Sequence, residues 1–337
     1  MRPKSIMLFV VIVIILSACG AGESAATSTP IPTDTPIVPP TATATPTVPL
    51  AVLVIPADLD PDTSNLYQKT VYDLAQASGF RFQVLNSLTP ETIEPGLQVV
   101  IALPPDPGIA ALAAAAPQVQ FLAINIPGLT AGGNISVLSG GAQSDIAAFL
   151  AGYTAALTTE DYRIGMIIPK DNADAIRALN AYANGMKFYC GICRPLFFSA
   201  WGYPQFVEIP AEEDQANYDA YADILILQYK VGTIYLYPDI AIPDLSTYIG
   251  TTGISMIGTA SPEQRPAGWM MTIQPDIIKA IQNAWPDLAS GKGGVTVQSP
   301  LGLSDIDPSL LSPGKQRLVE QVLNDLQAGL INTGVNP

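Results

Sequence analysis

Residues 51–85 read AVLVIPADLDPDTSNLYQKTVYDLAQASGFRFQVL. The first five are apolar without alternation and stop at Pro56, the pattern of a strand buried on both faces of a parallel sheet. Residues 65–78 then place apolar side chains at 66, 67, 71, 74 and 75, a helical spacing, and Gly79 is the kind of residue that ends a helix. Phe80–Leu85 reads as the next strand. Strand, helix and strand in this order make a βαβ unit, which predicts a parallel sheet.

The alternation continues outward. Strands are expected at 99–103, 121–126 and 135–138, with helices at 109–116 and 145–157. A second series follows: strands at 163–168, 206–209, 233–237, 255–258 and 269–273, and helices at 172–186, closed by Gly185, then 218–229, 276–289 and 312–330. Two series predict an α/β chain of two lobes, each a parallel sheet flanked by helices. Expected boundaries are 50–159 for the first lobe with a returning segment around 275–300, and 160–274 for the second with a C-terminal helix around 312–331.

Open α/β sheets take ligands beyond the carboxyl ends of their strands. Those ends carry Asp58, Asp60, Asp62 and Ser64, then Asp106, Asn125 and Ser139, and in the second series Lys170 with Asp171, Asp239, and Thr259 with Ser261. Each of these residue types also caps helices and makes turns, so the set is a stronger indication than any member.

Ahead of this body lies a different kind of sequence. Arg2 and Lys4 precede an unbroken apolar run from Ile6 to Leu16, too short to span a bilayer, which takes about 20 residues, and suited to a secretory leader. It ends in Leu16-Ser17-Ala18-Cys19, similar to a bacterial lipobox, so residues 1–19 are expected to be a lipoprotein signal with Cys19 acylated. Residues 20–49 follow as a tether; between 27 and 49 it holds 7 Pro and 8 Thr, a composition that cannot bury a core. The expected location is the outer face of the cytoplasmic membrane, lipid-anchored.

Composition narrows the chemistry. The net charge is −14, or −16 once Arg2 and Lys4 leave with the leader (13 basic against 29 acidic). No basic run is present, which argues against nucleic acid as a partner. The chain has no histidine, which removes Ser-His-Asp and Cys-His catalysis and His-ligated metal sites. No Walker loop or GxGxxG occurs; Gly132-Gly133, Gly140-Gly141 and Gly293-Gly294 read as turns. No cofactor is expected.

From about residue 51 to 331 the chain resembles the basic membrane protein (BMP) family, similar to purine nucleoside receptor lipoproteins of ABC importers with a type 1 periplasmic-binding fold. The resemblance is carried by DTSNLYQKTVYDLAQASG (62–79), QFLAIN (120–125), ISVLSGGAQSDIAAFLAGYTAAL (135–157), RIGMII (163–168), IGTASPEQ (257–264) and QRLVEQVLNDLQAGLI (316–331), in that order. It implies a nucleoside held between the lobes, an ABC permease as partner, and no enzymatic activity. Ser64, Asn65 and Asp106 would meet the ligand, with Tyr67 as a stacking ring and Phe149 from the FLAG helix. Asn125, Lys170, Asp239, Thr259 and Ser261 complete the candidate rim. The chain departs from the family at Ala260, where a carboxylate is expected, at Gln274 or Pro275, where a Lys is expected, and at Pro169-Lys170, which replaces a Gly pair. Two other functions remain open. One is a ligand-sensing or scaffold lipoprotein of the same fold. The other is a carboxylate hydrolase, for which Glu212-Glu213-Asp214 offers acids but reads better as a solvated helix start.

With Cys19 assigned to the lipobox, Cys190 and Cys193 stand as a pair outside the cell. A disulfide is expected. Free buried thiols, a redox pair and half a metal site are the alternatives; zinc lacks two of the four ligands it needs. Phe197, Phe198, Trp201 and Tyr203 after the pair are expected to pack a loop onto the second lobe. Trp269 is expected in the core or hinge.

Overall fold

The computed structural model describes residues 47–139, 143–194 and 202–336. Cys19, Gly140-Gly141 and the aromatic residues Phe197, Phe198 and Trp201 lie outside them. Residues 47–336 belong to one compact unit. It begins slightly ahead of the expected edge of the tether, since the Arg81 N–H donates to Pro49 O at 2.7 Å.

The first sheet is built from β1 (Leu50–Val54), β2 (Arg81–Leu85), β3 (Leu97–Ala102), β4 (Gln120–Ile124), β5 (Ile135–Ser139) and a late strand, β11 (Thr296–Gln298). Its order is β11-β5-β4-β3-β1-β2, and every pairing is parallel. The helix α1 (Pro61–Ala77) links β1 to β2. It starts four residues earlier than the apolar spacing indicates, because Asp60 caps it by accepting from Thr63 N at 2.9 Å and Pro61 presets its first turn. α1 and α7 (Ile277–Ala289) share a core with one face of the sheet, through Val71, Ala75, Ile281 and Trp285. The helix α2 (Ile109–Ala115) covers the other face with Ile109 and Leu112.

The second sheet contains β6 (Ile164–Pro169), β7 (Gln205–Ile209), β8 (Thr233–Leu236), β9 (Ser255–Gly258), β10 (Trp269–Pro275) and β12 (Leu301–Ser304), in the order β12-β10-β9-β8-β6-β7. Its strands pair in parallel as expected, except that the edge strand β12 runs antiparallel to β10. Three helices, α3 (Ser144–Thr158), α4 (Ala173–Cys190) and α8 (Pro313–Gln327), share a core on one face. α5 (Tyr218–Asp223), continued by a π turn at Ile224–Gln228, and α6 (Pro243–Thr251) cover the other. The elements α6, β11 and β12 were not expected from the sequence. β11 and β12 span only three and four residues with little apolar patterning, and α6 is a short helix after Pro243.

Two further corrections concern α3 and α4. The expected boundary at 159 put α3 with the first lobe, but it packs on α4, α8 and the second sheet. Buried on nearly every side from Ala147 to Leu157, α3 has no polar stripe to turn to solvent, so it needs neighbours all round. Gly185 does not end α4, which runs on to Cys190. It sits in the helix interior, where its missing side chain lets the backbone of α3 approach: a Cβ there would overlap the carbonyl oxygen of Phe149.

Three segments cross between the lobes. The first leaves the carboxyl end of β5 for α3, and the second leaves the carboxyl end of β10 for α7. The third leaves the carboxyl end of β11 and enters β12, whose Leu301 pairs with Pro275 at the carboxyl end of β10. All three therefore join the carboxyl edge of one sheet to that of the other, so the strand-end loops of both lobes meet at the junction. The crossings are also bonded to each other. Asp276 N donates to Pro300 O at 2.7 Å, and Gln143 Nε2 donates to Ser299 O at 3.1 Å.

Candidate functional site

The strand ends of the first lobe bring Ser64, Asn65, Asp106 and Asn125 to one edge. Ser64 lies in the first turn of α1, half-buried, its Oγ accepting from Gln68 Nε2 at 2.9 Å; Asn65 is exposed beside it. Asp106 is exposed, but its Oδ1 accepts from the N–H groups of Gly108 and Ile109 at 3.0 and 2.9 Å, so it organises the turn into α2. Asn125 follows β4 with φ +50, a left-handed conformation that Asn tolerates better than most residues. Tyr67 is half-buried against the first-lobe core, and burial pushes its phenol up.

The opposing edge carries Lys170 and Asp239, both exposed, after β6 and β8, and Thr259 and Ser261 after β9. Phe149 belongs to neither edge. It is 2% exposed inside the second-lobe core, its ring 5.6 Å from that of Phe188, so its expected ligand role is corrected to packing.

The densest polar arrangement on this edge was not read from the sequence. Asp305, at φ +51 just past β12, accepts at Oδ2 from Ser261 Oγ (2.6 Å), Thr272 Oγ1 (2.7 Å) and Ser304 Oγ (3.3 Å). Arg265 stands 3.5 Å from Oδ1. Gln274 Nε2 donates to Ser304 Oγ at 3.0 Å and Ser261 Oγ at 3.3 Å. Burial pushes the Asp305 carboxyl up, but the three hydroxyl donors and the Arg265 charge outweigh it and hold the group below its ordinary value. Gln274 thus joins a network around a carboxylate supplied from a distant part of the chain. Next to this network Trp269 is buried. Its indole N–H donates to Thr272 Oγ1 at 3.0 Å, and its ring occupies the space a side chain at Gly258 would fill.

Tyr237, the residue after β8, is 6% exposed and lies beside Ser144 at the start of α3, with Asp239, Asp174 and Arg177 around it. Burial raises its phenol, the charges of Asp239 and Asp174 add to the rise, and a hydrogen bond with Ser144 and the Arg177 charge oppose it. Arg177 pairs with Asp174 at 3.0 Å. By contrast Tyr235 is wholly buried, stacked on Tyr182 with centroids 5.9 Å apart.

Elsewhere, Glu213 accepts from Asn217 and Tyr221, each at 2.7 Å, and Asp214 from Ala216 N at 3.0 Å, so these acids cap a turn. Cys190 and Cys193 are joined as a disulfide, with Cα atoms 5.3 Å apart. Among the described residues no group of three or more His, Cys, Asp or Glu gathers as metal ligands, and no helix is long and apolar enough to cross a membrane.

No family model matches the chain, and no curated protein matches its sequence. Similar solved structures include a transcriptional activator of the comK gene from Bacillus halodurans, at 14% identity and TM-score 0.49, covering 83% of this chain and 98% of that one. A solute-binding protein of an ABC transporter system from Aeropyrum pernix K1 has 13% identity and TM-score 0.42, covering 85% and 93%. A periplasmic ribose ABC transporter protein from Conexibacter woesei has 16% identity and TM-score 0.46, covering 81% and 95%. Likeness of this order leaves the function to this chain's own residues.

Proposed function

We propose that this chain is an extracytoplasmic solute-binding lipoprotein, which holds a small molecule between its two lobes and delivers it to an ABC importer. The observation that carries this reading is the set of three crossings. They join carboxyl edge to carboxyl edge and so gather the polar strand ends of both sheets around one junction. Such ends are where open α/β sheets bind ligands. A chain without histidine is better suited to binding there than to acid–base work at neutral pH. The lipobox at Cys19 and the Pro/Thr tether support attachment to the outer face of the cytoplasmic membrane, and the BMP resemblance supports a nucleoside-like ligand.

A second reading, a ligand-sensing lipoprotein with no transporter, is favoured by Ala260 and by Gln274 or Pro275, which stand where the resemblance implies a carboxylate and a Lys. A thermal-shift screen of the purified protein against nucleosides, bases, sugars and amino acids tests ligand capture, since a ligand that binds only the folded state raises Tm. Stabilisation by at least one solute is expected; a flat response across the panel overturns the receptor reading. Labelling of the wild type but not of Cys19→Ala by a fatty-acid probe tests the anchor.

A further inference from the structure

The last turn of α4 and the disulfide loop behind it carry an apolar surface that the candidate site does not use. Phe188 is 51% exposed, Tyr189 39% and Ile192 80%, the last being the most exposed large apolar side chain among the described residues. Single exposed apolar residues are ordinary; three within one short segment make a patch. Its rings are seated on the core. The Phe188 ring lies 5.6 Å from that of Phe149 and 6.1 Å from that of Tyr153, and the Tyr189 ring lies 5.6 Å from Tyr153 and 6.4 Å from Tyr162. The Cys190–Cys193 bond and Gly191 at φ +64 hold the turn that exposes Ile192. Tyr162 precedes β6, so its contact with Tyr189 places the patch at the amino edge of the second sheet, the end away from the junction and its polar strand ends.

Charge selects what such a patch can meet. Residues 175–207 contain no Asp or Glu but include Arg177, Lys187 and Arg194, in a chain with 29 acidic and 15 basic residues. Lys187 and Arg194 flank the patch and are exposed. Glu160 and Asp161, just before Tyr162, bound this surface on that side, and Asp161 is paired with Arg163. Exposed rings and an aliphatic tip bordered by cations suit the interface of a bilayer with anionic headgroups. A body of net negative charge approaches such a surface with least repulsion through its acid-free end. We propose that Phe188, Tyr189 and Ile192, with Lys187 and Arg194 beside them, are a membrane-contact patch by which the second lobe rests on the bilayer that anchors the chain, leaving the junction open to solute. This rests on the lipoprotein part of the proposed function. The 27 residues from 20 to 46 can span at most about 95 Å. A body of about 290 residues has a radius of gyration of about 19 Å, so an acyl group on Cys19 leaves this end of the body within reach of the membrane.

The test uses the acylated protein in vesicles of phosphatidylcholine and phosphatidylglycerol, with and without bromine on the acyl chains, which quenches tryptophan on contact. In Ile192→Trp the emission added over wild type should fall about twofold or more in brominated vesicles, the mark of a ring seated at the interface. Leu330→Trp, at a side chain 76% exposed beyond α8, should show no such loss; Gln327 of that helix bonds Leu301, which places its end at the junction. Quenching of Ile192→Trp no greater than that of Leu330→Trp overturns the patch. So does quenching that persists when Phe188→Ser and Lys187→Glu are added to Ile192→Trp, because the new tryptophan would then partition by itself. A dimer in sedimentation that Ile192→Ser converts to monomer, without quenching in vesicles, assigns the patch to a second copy and overturns the lipid contact. Wild type that floats with vesicles while Ile192→Trp stays unquenched overturns the patch and leaves the anchor standing, whereas wild type that does not float overturns both.

Discussion

Gly152 of α3 and Gly185 of α4 face each other's helix backbones: a Cβ on Gly152 would overlap the carbonyl of Tyr182, and one on Gly185 the carbonyl of Phe149. The two helices therefore pack without intervening side chains, as small residues allow elsewhere in close helix pairs. Alanine at either position forces the helices apart in a buried core. We expect each Gly→Ala change to cost about 1–3 kcal/mol, read as a lower urea midpoint with an unchanged slope. The double variant should lose less than the sum, because the first displacement relieves the second. Wild-type stability for either single variant would show that the helices shift at no cost.

Asp305 should govern acid stability of the second lobe. Its carboxyl is held below the ordinary value in the folded protein, so its contribution is present above the unfolded value of about 3.9 and is lost as the pH falls through the folded value. Asp305→Asn should be less stable than wild type by about 1–3 kcal/mol at pH 7, the worth of hydrogen bonds to a charged acceptor. The gap should narrow as the pH drops below about 4. Denaturation curves at pH 7, 5 and 3.5 check this; a gap independent of pH would mean the charge is not what the three hydroxyls hold.

Asp106→Ala separates capping from ligand contact. Because the carboxylate accepts from Gly108 and Ile109 N–H, its loss should lower stability by about 1 kcal/mol and leave the affinity for any solute found in the screen unchanged. A change in affinity with unchanged stability would return Asp106 to the site.

The Cys190–Cys193 disulfide closes a four-residue ring, and loop entropy limits its contribution to about 2 kcal/mol. Reduction should therefore lower Tm by a few degrees and leave the protein folded. Thiol-reactive reagent should label neither Cys190 nor Cys193 in the unreduced protein; labelling of either would refute the bond.

Several parts of the fold were legible because they are local. An all-apolar run such as 51–55 states that both its faces are buried, and the spacing in 65–78 states which side of a helix is. The strand-end rim followed from the same alternation. Phe149 shows the limit: an apolar residue in a matching helix was read as a ligand contact, yet it fills a core. Nothing in its immediate sequence distinguishes the two roles.

Sequence alone determined the two α/β series and the exclusion of histidine chemistry, since each depends on composition or on periodicity within a few turns of chain. Tertiary structure decided which sheet α3 joins, why Gly185 lies inside a helix, that Asp305 meets Ser261, and that Gln143 lies against Ser299. The last two pairs are separated by 44 and 156 residues. Periodicity reports that a face is buried and is silent on what buries it; the partner is set by contacts that exist only after both lobes have closed their sheets and the three crossings lie side by side.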